Sequence, residues 1–201
     1  MNARVRVLLL AWLTGVLSAG GGCGRPDAAP DSSSGAASLR LLDLSDHWVQ
    51  PFPATDAKAL VFLFVSTDCP ISNRYAPQIK RLHEHFAARG VRFQLVYPSA
   101  STSAAAAHRH LQEYGYSFGA LRDPQHVLVK RAGATVTPEA AVFSPEGRLL
   151  YRGRIDDRFP KLGTERAAAS QADLENALNA ILEGRLVTPR FTQPVGCYIA
   201  D

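Results

Sequence analysis

The stretch Ala59 to Pro77, ALVFLFVSTDCPISNRYAP, constrains the fold of this chain more than any other. Its first part, Leu60 to Val65, is a continuous apolar run bounded by polar residues. Such a run reads as a strand buried on both faces, at the centre of a sheet. Ser66, Thr67 and Asp68 end the run and supply capping side chains. Cys69-Pro70 follows, and Pro suits the first turn of a helix, where its missing N–H costs nothing. An amphipathic pattern then runs from Ile71 to Arg89 and stops at Gly90. Ile79, Leu82 and Phe86 form its core stripe, and Pro77 is expected to kink it. One cysteine is thus placed at a strand-to-helix junction, at the positive end of a helix, where a thiolate gains from its surroundings.

The rest of the chain alternates strand and helix signals. Ser38–Leu44 reads as an edge strand and Ser45–Lys58 as loop. Val91–Tyr97 is the next strand, and Ser101-Thr102-Ser103 caps a helix over Ala104–Tyr114. Phe118–Leu121 is a short strand, and Asp123-Pro124 opens a helix over Gln125–Ala132 that Gly133 closes. Pro138–Phe143 and Arg148–Arg154 form a hairpin around the turn Ser144-Pro145-Glu146-Gly147. Asp156–Ala169 is loop, and Ser170 is expected to cap a last helix reaching Glu183. The order predicts an α/β sandwich with a mixed central β-sheet flanked by helices. Residues 185–201 form a tail with Pro189, Pro194 and Cys197 and no predicted element.

The N-terminus has a different character. Met1–Arg6 is short and basic, Val7–Leu17 is apolar, and small residues follow to Gly22. This is the layout of a signal peptide over residues 1–22. Cys23, directly after the small residues, resembles the lipid-bearing Cys of bacterial lipoproteins. Residues 23–37 then read as a possible lipid anchor and flexible linker, rich in Ser, Gly, Ala, Pro and Asp. The expectation is an extracytoplasmic protein, periplasmic or in the cell envelope, held at the membrane through Cys23.

Composition excludes other classes. The net charge of +4 includes Arg4 and Arg6, so the exported part carries 4 − 2 = +2, scattered rather than clustered, and no nucleic-acid partner is expected. Three Cys are too few for a disulfide scaffold, and their spacing makes no zinc knuckle. His83 with His85, and His108 with His110, stand at i, i+2, which on a helix do not face each other; these read as solvated faces, and no metal or other cofactor is expected.

The motifs resemble the thioredoxin-like superfamily, and within it the redoxin type (alkyl hydroperoxide reductase/thiol-specific antioxidant-like). That family has a C-x-x-C site followed by an Ala-Pro pair, its Pro eight residues after the first Cys. Cys69-Pro70-Ile71-Ser72 and Ala76-Pro77 stand at that spacing. A Thr-Pro pair with a cis proline facing the Cys opens a late strand in the family, and Thr137-Pro138 fits it. Glu146–Gly153 looks like the hairpin that follows, and the resemblance covers residues 38–184. It implies a thioredoxin-like fold, Cys69 as redox nucleophile, Thr137 and Pro138 as a peptide-holding edge, and a thiol/disulfide protein partner or a peroxide as substrate.

Ser72 replaces the second Cys of the motif. A serine cannot close a disulfide, so either Cys69 works alone or a second thiol lies elsewhere. With Cys23 lipidated, that thiol is Cys197; the 13 residues from Gly184 span up to ~43 Å when extended, far enough to reach Cys69. Cys197 packed or free is the alternative. Each tenfold gain in thiolate at Cys69 requires ~1.4 kcal/mol of stabilisation. A helix N-terminus supplies ~0.3–2 kcal/mol, and Ser72, Arg152 and Arg154 are candidate donors for the rest. Thr67 and Ser66 bring a hydroxyl near the Cys, as in the peroxidatic pattern P-x-x-x-[ST]-x-x-C, but Phe62 takes the place of its Pro. Three functions follow: an exported thiol–disulfide oxidoreductase, a peroxiredoxin-like thiol peroxidase, or a redox-inert or copper-delivery module.

Overall fold

The computed structural model describes residues 39–200. The proposed signal peptide, Cys23 and the linker to residue 37 lie outside the described residues. The central strand β3, Ala59–Phe64, is buried along its whole length, as its unbroken apolar run requires. It pairs parallel with β4, Val91–Tyr97, and antiparallel with β7, Glu139–Phe143. The sheet continues through β5, Ala120–Arg122, to β1, Leu41–Leu42, and β2, Trp48–Val49, on one side. On the other side it ends at β8, Leu149–Gly153. The order β2-β1-β5-β4-β3-β7-β8 makes a mixed seven-stranded sheet.

Side chains of β3 alternate between two cores. Val61 and Leu63 pack with Ile79, Leu82 and Phe86 of α2, Ala76–Ala87, and with Leu174 and Leu178 of α5, Asp173–Leu182. Leu60, Phe62 and Phe64 face the opposite way, against Leu128 and Val129 of α4, Val127–Ala132, and Phe143. Phe52, Phe62 and Phe143 meet edge-on or tilted, with centroids 5.3–5.7 Å apart. The sheet is therefore covered by helices on both faces, as the alternation of elements predicts. The helix α3, Ala104–Glu113, is capped by Ser103, whose Oγ accepts the Ala106 N–H at 3.1 Å.

Four expectations need correction. The helix after Cys69 is broken rather than kinked: α1, Pro70–Arg74, ends at Tyr75, and α2 starts again with Pro77 in its first turn. Pro77 carries no N–H and so cannot continue the first ladder, but it starts the second. Ser170 does not cap α5. Its N–H and hydroxyl bind the Asp157 carboxylate, both at 2.6 Å, and tie down the preceding loop. Trp48–Val49, read as loop, pairs with β1 and makes the sheet edge.

The fourth correction is the tail. Arg190 and Thr192 bond the Arg152 backbone at 2.9 and 3.1 Å, alongside β8. The chain then turns back, and β9, Cys197–Tyr198, pairs antiparallel with β6, Val136–Thr137. No apolar run announces this strand, because its two side chains are exposed and only its backbone is paired. Gly153 permits the first contact: at φ 144° it lies where a Cβ would overlap Thr192. Gly163, φ 73°, has open space instead. Gly163→Ala should therefore cost about 1 kcal/mol of backbone strain alone. Gly153→Ala should cost at least about 2 kcal/mol, because it also expels the tail. Urea unfolding of the two variants measures the difference.

Candidate active site

Cys69 stands between the end of β3 and the start of α1, with extended backbone (φ −86°, ψ 110°). It is 1% exposed. The buried strand β3 fixes its height in the core, and the loop Ser66–Asp68 carries the chain from the C-terminal end of that strand to α1. Two groups from distant sequence enclose the sulfur. The Thr137 carbonyl, directly before Pro138, lies 3.0 Å away and accepts the S–H of the protonated thiol. The peptide bond into Pro138 is cis, as the family resemblance implies. The Cys197 sulfur lies 2.7 Å away and points its S–H at Cys69. Both cysteines are free thiols.

The two thiols differ in acidity. Burial pushes the Cys69 thiol up, but hydrogen bonds from the Cys197 thiol and from the Ser72 N–H and hydroxyl outweigh it and hold it below the ordinary thiol range. Desolvation, followed by the bond to and the charge of Cys69, raises Cys197 to about 11. Cys69 is thus the more acidic of the two thiols, which makes it the candidate nucleophile.

Ser72 is buried at this junction, and its N–H and hydroxyl are among the groups that lower the Cys69 pKa. The helix contribution is smaller than the sequence implies, because α1 has only 5 residues before the break at Tyr75. Arg154 does not serve the thiolate: its Nε is 2.7 Å from Asp173 Oδ2, on the α5 side. Arg152 is also engaged elsewhere, 3.6 Å from Glu139 Oε1 and against Phe191. Both arginines follow carboxylates that the sequence pattern does not reveal as partners. The Thr67 hydroxyl bonds Asp68 at 3.1 Å, and only its carbonyl enters the site's framework. Thr137 and Pro138 border the sulfur, but the Thr137 edge is not open to a peptide, because Cys197 is paired with it.

Sequence reasoning missed a buried polar chain behind the site. Asn73 Nδ2 donates to the Thr67 carbonyl at 3.1 Å, and Asn73 Oδ1 lies 2.9 Å from His110 Nε2. His110 Nδ1 lies 2.8 Å from the Tyr97 hydroxyl. The amide oxygen only accepts, so Nε2 carries the proton and Nδ1 accepts from Tyr97. Burial lowers the His110 pKa, which keeps this neutral tautomer. His110, expected on a solvated face, is 4% exposed. The signal available was weak: a polar residue four positions after the Cys, and a His on the core side of a helix. Glu139 was missed too. Buried in β7, it accepts the Thr135 N–H at 2.7 Å and the Val136 N–H at 3.3 Å, and so shapes the turn into Thr137. A lone Glu at the head of an apolar strand was its trace.

Beside Cys69 opens a groove of about 670 Å³ lined by Ser99, Gln125, His126, Lys130 and the tail residues Cys197–Ala200. Across Cys197 lies a smaller one of about 390 Å³, walled by Ile71, Phe159 and Leu162. Among the described residues, no group of three or more His, Cys, Asp or Glu is placed to hold a metal.

Known structures share the fold. The structure resembles that of a hypothetical protein from Sinorhizobium meliloti, at 26% identity and a TM-score of 0.69, covering 82% of this chain and 91% of that one. It resembles an uncharacterized conserved protein from Geobacillus kaustophilus at 24% identity and TM-score 0.69, covering 82% and 89%. It also shares its fold with a secreted Mycobacterium tuberculosis disulfide oxidoreductase, at 19% identity and TM-score 0.51, covering 71% and 96%. No curated protein sequence matches the chain. The strand order and the helices on both faces of the mixed sheet define a thioredoxin-like fold. The Redoxin family model matches residues 27–169, and the chain belongs to the Redoxin family.

The acidity of Cys69 is testable by ultraviolet thiolate absorbance against pH, taken as wild type minus Cys69→Ser. As pH rises, a proton should be lost below the ordinary thiol range, with the second near pH 11. Ser72→Ala removes a donor to the thiolate and should move the first step upward. An unmoved step would remove Ser72 from the site.

Proposed function

We propose that the protein is a thiol–disulfide oxidoreductase whose redox centre is Cys69 paired with Cys197. The observation that carries this reading is the 2.7 Å approach of the two sulfurs across a span of 128 residues. In the dithiol form, the Cys69 thiolate attacks one sulfur of a substrate disulfide. The substrate S–S bond breaks, a mixed disulfide forms at Cys69, and the departing substrate thiolate takes a proton. Cys197 then loses its proton and attacks the Cys69 sulfur. The second substrate thiolate leaves and is protonated. Two electrons pass to the substrate, and the Cys69–Cys197 disulfide is the oxidised product; run backwards, the same steps oxidise a substrate dithiol.

A peroxidase reading has less support. Peroxide cleavage needs donors aimed at the oxygens, and the Thr67 hydroxyl and Arg154 are both turned to carboxylates. The copper-delivery and redox-inert readings lack an observation in their favour.

A non-reducing peptide map of oxidised protein should contain the Cys69–Cys197 linkage. Cys197→Ser should accumulate the mixed disulfide with a model protein disulfide, and Cys69→Ser should form neither species. Cys69 recovered joined to an external thiol while Cys197 stays free in oxidised wild type would overturn the pairing.

The same proposal puts the site outside the cytoplasm, since residues 1–23 carry an export and lipid-attachment pattern and free thiols pair readily in oxidising compartments. Cell fractionation should find the protein with membranes, and Cys23→Ala should release it in soluble form. Mass spectrometry that finds Met1 intact on the membrane-bound protein would contradict this.

A further inference from the structure

The tail does more than deliver a thiol. We infer that β9 occupies, in cis, the edge at which an extended cysteine-bearing segment of a substrate protein must bind, so that tail and substrate exclude each other. This rests on Cys69 being the reacting thiol of the proposed centre, but the docking itself needs no thiol chemistry.

Cys69 is 1% exposed with the tail in place, so a protein disulfide cannot reach it past the Cys197 sulfur. The tail sits as an added strand would. Cys197 is in register with Thr137, Tyr198 with Val136, and the Ile199 N–H donates to the Thr135 carbonyl at 3.0 Å. Main-chain pairing of this kind supplies affinity with little demand on side chains. The exposed Cys197 and Tyr198 side chains fit that description.

One position is demanding. A Cβ on Gly196 would overlap the Thr137 carbonyl, so the residue before the cysteine must be Gly for a strand to lie this close. The geometry therefore favours substrate segments with the order Gly-Cys. The tail can leave without being lost, because Thr192 stays anchored to β8 through the Tyr151 hydroxyl at 2.7 Å and the Arg154 N–H at 3.1 Å. A tethered strand returns at high effective concentration. Its return brings Cys197 to the mixed disulfide and takes back the edge the substrate held, so resolution and product release are one event.

The test uses the full chain with Cys197→Ser, alone and with Gly196→Val. The probe is a fluorescein-labelled peptide Gln-Pro-Val-Gly-Ser-Tyr-Ile-Ala, which has the tail sequence with Ser for Cys. By fluorescence anisotropy, Gly196→Val should bind the probe at least ~10-fold more tightly than Cys197→Ser alone, as expected if the edge is free less than a tenth of the time. The same peptide with Val for Gly should not bind. Equal binding to both proteins would show that the tail does not hold the edge. No binding to either would show that the edge does not take an extended strand. Should Gly196→Val fail to fold, hydrogen exchange on Cys197→Ser serves instead. Excess probe should speed exchange of the Ile199 amide and leave the Thr192 amide protected; an unchanged Ile199 overturns the inference. A disulfide seen in the peptide map with no competition here would leave the redox pair standing and remove the gate alone.

Discussion

The pairing of Thr137 with Cys197 is the contact on which the site depends. It sets the Cys197 sulfur 2.7 Å from Cys69, while the Thr137 carbonyl touches the same sulfur from β6 at 3.0 Å. The two neighbours favour opposite states. The carbonyl stabilises a protonated Cys69, whereas the Cys197 S–H stabilises a thiolate. With the tail docked, the Cys197 S–H favours ionisation of Cys69; with the tail gone, Cys69 loses that donor while the Thr137 carbonyl still favours the thiol. The acidity of Cys69 thus depends on the position of a strand outside the central sheet.

The surrounding scaffold holds the backbone of this contact by buried polar bonds rather than apolar packing. Glu139 fixes the amides of Thr135 and Val136 from beneath, and its own burial raises its pKa against the pull of those bonds and of Arg152. Asp123 does the same for the first turn of α4, where its carboxylate accepts three backbone N–H groups at 2.8–2.9 Å. Asn73, His110 and Tyr97 anchor the loop before Cys69. Buried polar groups left unpaired are costly, so each of these sets is complete around the atoms it orients.

Much of the fold was legible in order of elements. A short unbroken apolar run closed by polar residues reads as a central strand, and β3 is one. The stripe Ile79, Leu82, Phe86 packs as its spacing requires. Cys69 was legible as well, since a thiol at the end of such a strand, followed by Pro, has one place to go. The errors in placing side chains are of one kind. Ser170 carries a capping side chain but bonds Asp157, and Arg154 lies near the site in sequence but bonds Asp173. His110 has a polar side chain but is buried. In each case a side chain with several possible partners chose one from a distant segment, and local pattern holds no information about that choice.

By itself the sequence determined the sheet's central strand, the helices that cover it, the position of Cys69 and the absence of a second thiol in its motif. These follow from periodicity and residue chemistry within a few turns of chain. Only the tertiary structure decided where Cys197 goes, that its strand closes the Thr137 edge, and that Arg152 and Arg154 are turned away from the thiolate. A two-residue strand with exposed side chains leaves no apolar period to read. Its pairing is made by backbone groups that every residue carries, and by the space that Gly196 and Gly153 leave open.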